Sequence, residues 1–308
     1  MITAIDETGG FDPGSEEFNY FVAVHIDQNK DKYKIKESQF NIWEGSIPNK
    51  YKQNGEIKGN NLPDEHLISF SNEVLEVKPS VLYSVVRVKP SETSEDLMEK
   101  RKKYEIKSIE DVIKKARENN HESWARGYEK ILAWYKNRNY QIMLKILCLE
   151  ELLGMSLNRV LGWAQLSYEL DDDISNIRDL QFKVDKDFIR ADNVKLLWGE
   201  LLRQYWKRFT KKEPIPVLVS WKKEDHPIYK VFDEVDGGLN IKKVFRERTQ
   251  FVDSMNNWEV RMADLVATII HRYQNRNQCE EAGKKLLEHL GGKQKNYKHL
   301  IPNFDEEI

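Results

Sequence analysis

The spacing of apolar and polar positions changes repeatedly along this chain, and each change predicts an element. Residues 2–5 are short, apolar and β-prone, and they run into Asp6-Glu7-Thr8-Gly9-Gly10, an acidic pair followed by turn residues. Residues 20–26 form a second apolar run. The connection between the two is rich in turn residues, which predicts antiparallel neighbours. A weaker pattern at Lys32, Tyr33, Lys34 and Ile35 reads as a loop or hairpin. Glu56-Ile57-Lys58-Gly59 then leads into a helix starting near Pro63-Asp64-Glu65, where proline and acids favour the first turn. Residues 80–88 are almost continuously apolar, as in a central strand covered on both faces.

Residues 91–176 switch to three- and four-residue spacing, the helical period. Trp124, Tyr128, Ile131 and Trp134 fall on one face, and Asn137-Arg138-Asn139 reads as a break between helices. This block is expected to be a large helical insertion, or cap, within one domain spanning residues 1–308. Strand patterns return at 180–185, 215–221 and 243–253, with a helix predicted over 194–208. Residues 258–273 carry Met262, Leu265, Val266 and Ile269 on one face of a helix, and a short helix is predicted over 280–290. Strands alternating with helices after an antiparallel start predict an α/β fold, a mixed sheet flanked by helices.

Composition narrows the function classes only a little. The 308 residues include 49 Lys and Arg against 51 Asp and Glu, a net charge of -2. No basic excess announces a nucleic-acid partner, although a local basic face is compatible with that balance. Cys148 and Cys279 stand alone, away from histidines at zinc spacing, which argues against a thiolate zinc site. Cys148 sits in the apolar run 142–149 and reads as a small buried hydrophobe. The chain shows no basic and apolar leader and no apolar run of ~20 residues, so no membrane association is expected and a cytoplasmic, reducing setting is.

The candidate chemistry is acidic. Asp6 closes the first predicted strand, Glu56 precedes a helix, Asp185 closes a later strand, and Asp264 interrupts the apolar run Met262-Ala263-Asp264-Leu265-Val266. A carboxylate beside an apolar stripe is costly unless something satisfies it. A hard divalent cation would, and Asp and Glu without Cys are ligands suited to Mg2+ or Mn2+. Asp6, Asp185 and Asp264 are the expected metal ligands, with Glu7 and Glu56 as further catalytic or supporting groups. In a two-metal site the ions lie ~3.5–4 Å apart and clamp the attacking and leaving oxygens of a phosphodiester, so no serine or cysteine nucleophile is needed.

Each of these residues also has a plainer reading. Asp6 and Glu7 could be a turn pair, Glu56 a solvated loop acid, and Asp264 a buried acid paired to Arg261. Asp187 shares the strand face of Asp185 and is its competitor as ligand. Lys58 is the candidate phosphate contact. The run Asp171-Asp172-Asp173 reads as a solvated loop, His25 as a residue of a sheet face, and His271 as a packed or exposed histidine. The aromatics at helical spacing are more often core than base-stacking platforms. Two basic stretches, Lys100–Lys103 with Lys107, Lys114 and Lys115, and Lys207-Arg208 with Lys211-Lys212, are candidates for a phosphate-tracking surface.

The motifs together resemble the domain-of-unknown-function 3800 family, which is regarded as having a ribonuclease-H-like fold. The residues that carry the resemblance are Asp6-Glu7-Thr8-Gly9, Glu56-Ile57-Lys58-Gly59, Val184-Asp185 and Arg261-Met262-Ala263-Asp264-Leu265, preceded by Asp253-Ser254. The family pattern has Ser where this chain has Thr8, and Gln where it has Arg261. The resemblance implies a ribonuclease-H-like sheet carrying a metal-dependent nuclease, with nucleic acid as partner. The alternatives are a non-catalytic nucleic-acid-binding or assembly module on the same fold, with protein partners in a defence or mobile-element system, and an enzyme acting on a nucleotide or small phosphoester.

Overall fold

A computed structural model describes residues 1–169, 180–185, 234–235, 238–239, 248–289 and 297–300. In chain order, β1 (Ile2–Thr8) and β2 (Asn19–Ile26) precede helix α1 (Lys30–Ser46). Short strands β3 (Lys52–Gln53) and β4 (Glu56–Ile57) lead to α2 (Asp64–Phe70) and β5 (Leu82–Val88). Three helices follow, α3 (Glu95–Glu118), α4 (Glu122–Lys136) and α5 (Tyr140–Glu169). Then come β6 (Gln181–Asp185), a small hairpin of β7 (Glu234–Val235) and β8 (Gly238–Leu239), and β9 (Thr249–Val252). The described chain closes with α6 (Trp258–Arg276), α7 (Glu280–His289) and β10 (Tyr297–His299).

The protein is a mixed α/β fold built on a six-stranded sheet of order β10-β5-β2-β1-β6-β9. β2 runs antiparallel to β1 and to β5, whereas β6 is parallel to β1 and to β9, and β10 is parallel to β5. Side chains alternate between the faces of a strand, and here they sort into two cores. Ile5, Phe21, Val86, Phe182 and Val184 pack with Leu144, Leu147, Cys148 and Leu152 of α5. Ala4, Val22, Val24 and Val85 pack with Val260, Ala263, Val266 and Ile270 of α6 and with Phe40 and Trp43 of α1. The sheet is therefore covered on both sides, as the continuous apolar run of β5 predicts.

Four features differ from the sequence expectation. Lys32 to Ile35 belong to α1, not to a loop or hairpin. The Asn29 side chain caps that helix by accepting from the N–H groups of Asp31 and Lys32, and Lys36, Phe40 and Trp43 form its buried stripe at four- and three-residue spacing. The stripe is hard to read because one member is a lysine, whose Nζ reaches through it to donate to the carbonyls of Val74 and Val77, both at 2.6 Å. The helical block is also more than an appended cap, because α5 is the sheet's second layer. Within the block, Trp124 is 67% exposed and departs from the face shared by the buried Ile131 and Trp134. Finally, a short edge strand, β10, lies beyond the last predicted helix. The predicted break at Asn137–Asn139 does separate α4 from α5. The predicted elements at 194–208 and 215–221 lie outside the described residues.

In the first basic stretch Lys100, Lys103, Lys107, Lys114 and Lys115 are exposed on α3, and Arg101 is the buried member. Arg101 is buried and ion-paired with Glu150 at 2.8 Å and Glu105 at 3.5 Å, while Lys100 pairs with Asp96 and Lys102 with Glu99. The second stretch and Asp171–Asp173 fall outside the described residues. His25 is buried on the sheet between Thr3 Oγ1 and Ser84 Oγ, each 3.0 Å away, and burial with the charge of Arg159 pushes its pKa down to about 3, so it is a neutral structural residue. Cys148 is fully buried. No described helix is long and apolar enough to cross a membrane.

Candidate functional site

The site forms where the C-terminal ends of β1 and β6 lie under α6. Asp6 lies inside β1, which continues to Thr8 instead of stopping at residue 5. The parallel pairing of β1 with β6 runs from Ile2–Gln181 to Ile5–Val184, so one further step sets Asp6 beside Asp185. Neighbouring residues in register share a face. Ala4 lies on the α6 side of the sheet and Ile5 on the α5 side, so Asp6 and Asp185 look toward α6 and Glu7 looks the other way. Asp264 projects from α6 toward them. Its charge bears on Asp6, and the charge of Asp185 bears on both.

The β3–β4 hairpin brings the second motif onto the same helix. The Gly59 N–H donates to Asp264 Oδ2 at 2.8 Å. The position needs glycine, because a Cβ there would stand 2.3 Å from Thr268 Oγ1 and 2.8 Å from Thr268 Cβ. The Arg272 guanidinium donates to the carbonyls of Gly59 and Asn60 and pairs with Asp64 at 2.7 Å, fixing the segment to α6. Lys58 Nζ then lies 2.8 Å from Glu56 Oε1 and 3.0 Å from Ser254 Oγ.

The electrostatics are those of crowded carboxylates. Burial, then the charges of Asp264, Glu7 and Asp185, hold Asp6 well above the ordinary aspartate range, against one stabilising hydrogen bond from the Glu7 N–H at 2.8 Å. Burial raises Asp264 to about 6, helped by Glu56 and Asp185 and opposed by the Gly59 N–H and Lys58. Burial also raises Glu7, against the opposing charge and hydrogen bond of Lys145, whose Nζ lies 2.9 Å from Glu7 Oε1. Burial works against the charge of Lys58, but the hydrogen bond and charge of Glu56, with Asp264 and Asp185 beyond, outweigh it and hold the lysine above its ordinary range. Lys58 is therefore a fixed ammonium and cannot serve as a base toward Ser254.

Six sequence candidates thus fall at one edge of the sheet: Asp6, Asp185, Asp264, Glu56 and Lys58 on the α6 side, and Glu7 on the α5 side. Asp187 lies outside the described residues. Arg261 does not neutralise Asp264. It donates to the carbonyls of Ser254 and Met255 and pairs with Glu44 of α1 at 2.9 Å, holding the loop that presents Ser254. His271 faces Tyr20 edge-on and lies 3.6 Å from Glu17. The residues that sequence reasoning missed are Lys145 and Ser254 as partners of Glu7 and Lys58.

The donor set suits a hard cation, since all five acids offer oxygen and two of them carry raised proton affinity with no full counter-charge. As they stand, no group of three or more His, Cys, Asp or Glu side chains among the described residues is gathered tightly enough to hold a metal ion. The carboxylates are close enough to raise one another's proton affinity without chelating. Compared with known protein families, with curated proteins and with solved structures, the chain matches none.

Proposed function

We propose that the protein is a divalent-cation-dependent phosphodiesterase, a nuclease, on a ribonuclease-H-like sheet. The observation that carries this reading is the side-by-side register of Asp6 and Asp185 beneath Asp264. Leaving β10 aside, the sheet order β5-β2-β1-β6-β9 supports the fold assignment: the first three strands of this sheet, β1, β2 and β5, form an antiparallel meander, and the next two, β6 and β9, add in parallel on the far side of β1. In this reading residues 91–176 are an insertion between the third and fourth of these strands. The resemblance to the domain-of-unknown-function 3800 family points the same way.

Asp6, Asp185 and Asp264 would hold Mg2+ or Mn2+, with Glu56 and Glu7 completing or flanking the set. The cation supplies Lewis-acid polarisation of a phosphoryl oxygen. The chain's own groups orient the reactants: the Gly59 N–H fixes Asp264, and Lys58 offers its ammonium to a phosphate oxygen. A non-catalytic binding module on the same fold is the second reading, favoured by one observation: no group of three or more His, Cys, Asp or Glu side chains among the described residues is gathered tightly enough to hold a metal ion.

Cleavage of end-labelled RNA and DNA with Mg2+ or Mn2+ separates the two. The proposal expects cleavage that EDTA and Asp6→Asn both abolish. Intact substrates, together with a melting temperature indifferent to Mn2+, would sink it. Proton competition gives a second expectation. Because Asp264 holds its proton up to about pH 6, and Asp6 is also held well above the ordinary aspartate range, Mn2+ affinity measured by calorimetry should fall about tenfold per pH unit for each proton displaced as the pH drops below about 6. A flat profile between pH 5 and 7 would remove Asp264 from the ligand set.

A further inference from the structure

We infer that Lys58 and Lys145 are the two ends of a phosphate clamp astride the acidic edge, and that the substrate is a polynucleotide strand offering successive phosphates, not a mononucleotide. This rests on the phosphodiesterase reading above. Five carboxylates at one edge repel any phosphate, so approach needs local cations. Lys58 stands on the α6 side of the sheet and Lys145, from α5, on the other, beside Glu7. Each ammonium rests on a carboxylate, at 2.8 Å from Glu56 and 2.9 Å from Glu7. Each also reaches solvent, the lysine side chains being 37% and 21% exposed.

Both lysines are held in place. Ser254 Oγ accepts from Lys58, and the Lys145 Nζ sits 5.3 Å from the centre of the buried Phe11 ring. Lys145 meets its carboxylate on the α5 face of the sheet and Lys58 stands on the α6 face, so the strands themselves lie between the two ammonium groups, whereas a hydrogen bond to a phosphate oxygen spans about 3 Å. One phosphate cannot satisfy both ammonium groups, but neighbouring phosphates of one strand, crossing the sheet edge over Asp6 and Asp185, can.

The test compares Lys145→Gln and Lys145→Arg with the wild-type protein. Anisotropy with labelled RNA and DNA oligomers across a salt series gives affinity and salt slope, and inhibition by a mononucleoside monophosphate reports single-phosphate binding. The expected result for Lys145→Gln is about tenfold weaker oligomer binding, and a salt slope shallower by roughly 0.7–0.9, one phosphate contact. Mononucleotide inhibition should stay unchanged, and Lys145→Arg should restore most of the loss. Equal affinity and slope in Lys145→Gln, an equal loss in Lys145→Arg, or an equal loss for the mononucleotide would each overturn the clamp. If the wild-type protein binds Mn2+ in calorimetry but no oligomer, the clamp falls and the cation site stands. If it binds neither, both fall.

Discussion

Asp264→Asn is expected to melt at a higher temperature than the wild-type protein in EDTA while losing cleavage by at least about a thousandfold, as removal of a group that holds the catalytic cation should. The two effects share one cause. Asp264 is an acid whose pKa is raised in the fold, from an ordinary 3.8 to about 6. Below 3.8 the folded and unfolded chains are both protonated there and the group is neutral with respect to stability. As pH rises through 3.8 the unfolded chain ionises first, and stability is lost until the folded group ionises near 6. At ~1.4 kcal/mol for each tenfold change in proton affinity, the penalty above pH 6 is on the order of 2–3 kcal/mol. Asparagine does not titrate, and its carbonyl can still accept from the Gly59 N–H. The variant should gain several degrees, at about 2–4 °C per kcal/mol for a domain of this size. The gain should vanish near pH 4, where the wild-type carboxyl is protonated. A variant that melts lower in EDTA at pH 7 would show that the charge of Asp264 is satisfied within the protein and needs no cation.

The reasoning that isolated Asp264 in the sequence, a charge interrupting an apolar helical run, applies equally to Lys145 within Ile142-Met143-Leu144-Lys145-Ile146-Leu147. Applied there, it calls for an acidic partner, which the fold supplies as Glu7. Period-two alternation puts Asp6 and Glu7 on opposite faces of a strand that continues past residue 5, as β1 does. Other features were not legible for physical reasons. Nothing local announces that Arg261 reaches Glu44, 217 positions away in sequence, because long side chains choose partners by tertiary proximity. Helix α1 was hidden because a buried lysine stands in its apolar stripe and finds its hydrogen bonds only on another element. The amphipathic pattern of the helical block fixes which faces are buried but not against what. Only the packing of α5 on β2 and β5 identifies it as a layer of the sheet.

Gly59→Ala is expected to damage both the fold and the site, and Thr268→Gly should rescue it. The new methyl would lie 2.3 Å from Thr268 Oγ1 and 2.8 Å from Thr268 Cβ. The segment cannot withdraw freely, because its N–H is given to Asp264 and its carbonyl accepts from Arg272. Relieving the clash by a backbone shift breaks those bonds, and the hydrogen bond to a carboxylate is worth about 1.5–3 kcal/mol. Overpacking of this kind typically costs about 1–3 kcal/mol. A fall of several degrees in melting temperature should accompany weaker Mn2+ binding, since Asp264 loses the donor that fixes its carboxylate. Thr268→Gly removes the three atoms nearest to the new methyl, Oγ1, Cβ and Cγ2 of Thr268. Alone it should cost only about 1 kcal/mol, the helix-interior penalty of glycine plus a little lost packing, because Thr268 Oγ1 is buried without a hydrogen-bond partner. The double variant should therefore be more stable than Gly59→Ala alone, with a coupling on the order of 1–3 kcal/mol in the double-mutant cycle. Simple additivity of the two losses would mean that Gly59 is tied to conformation and not to its contact with α6. The route from Thr268 through Gly59 to Asp264 would then have to be abandoned.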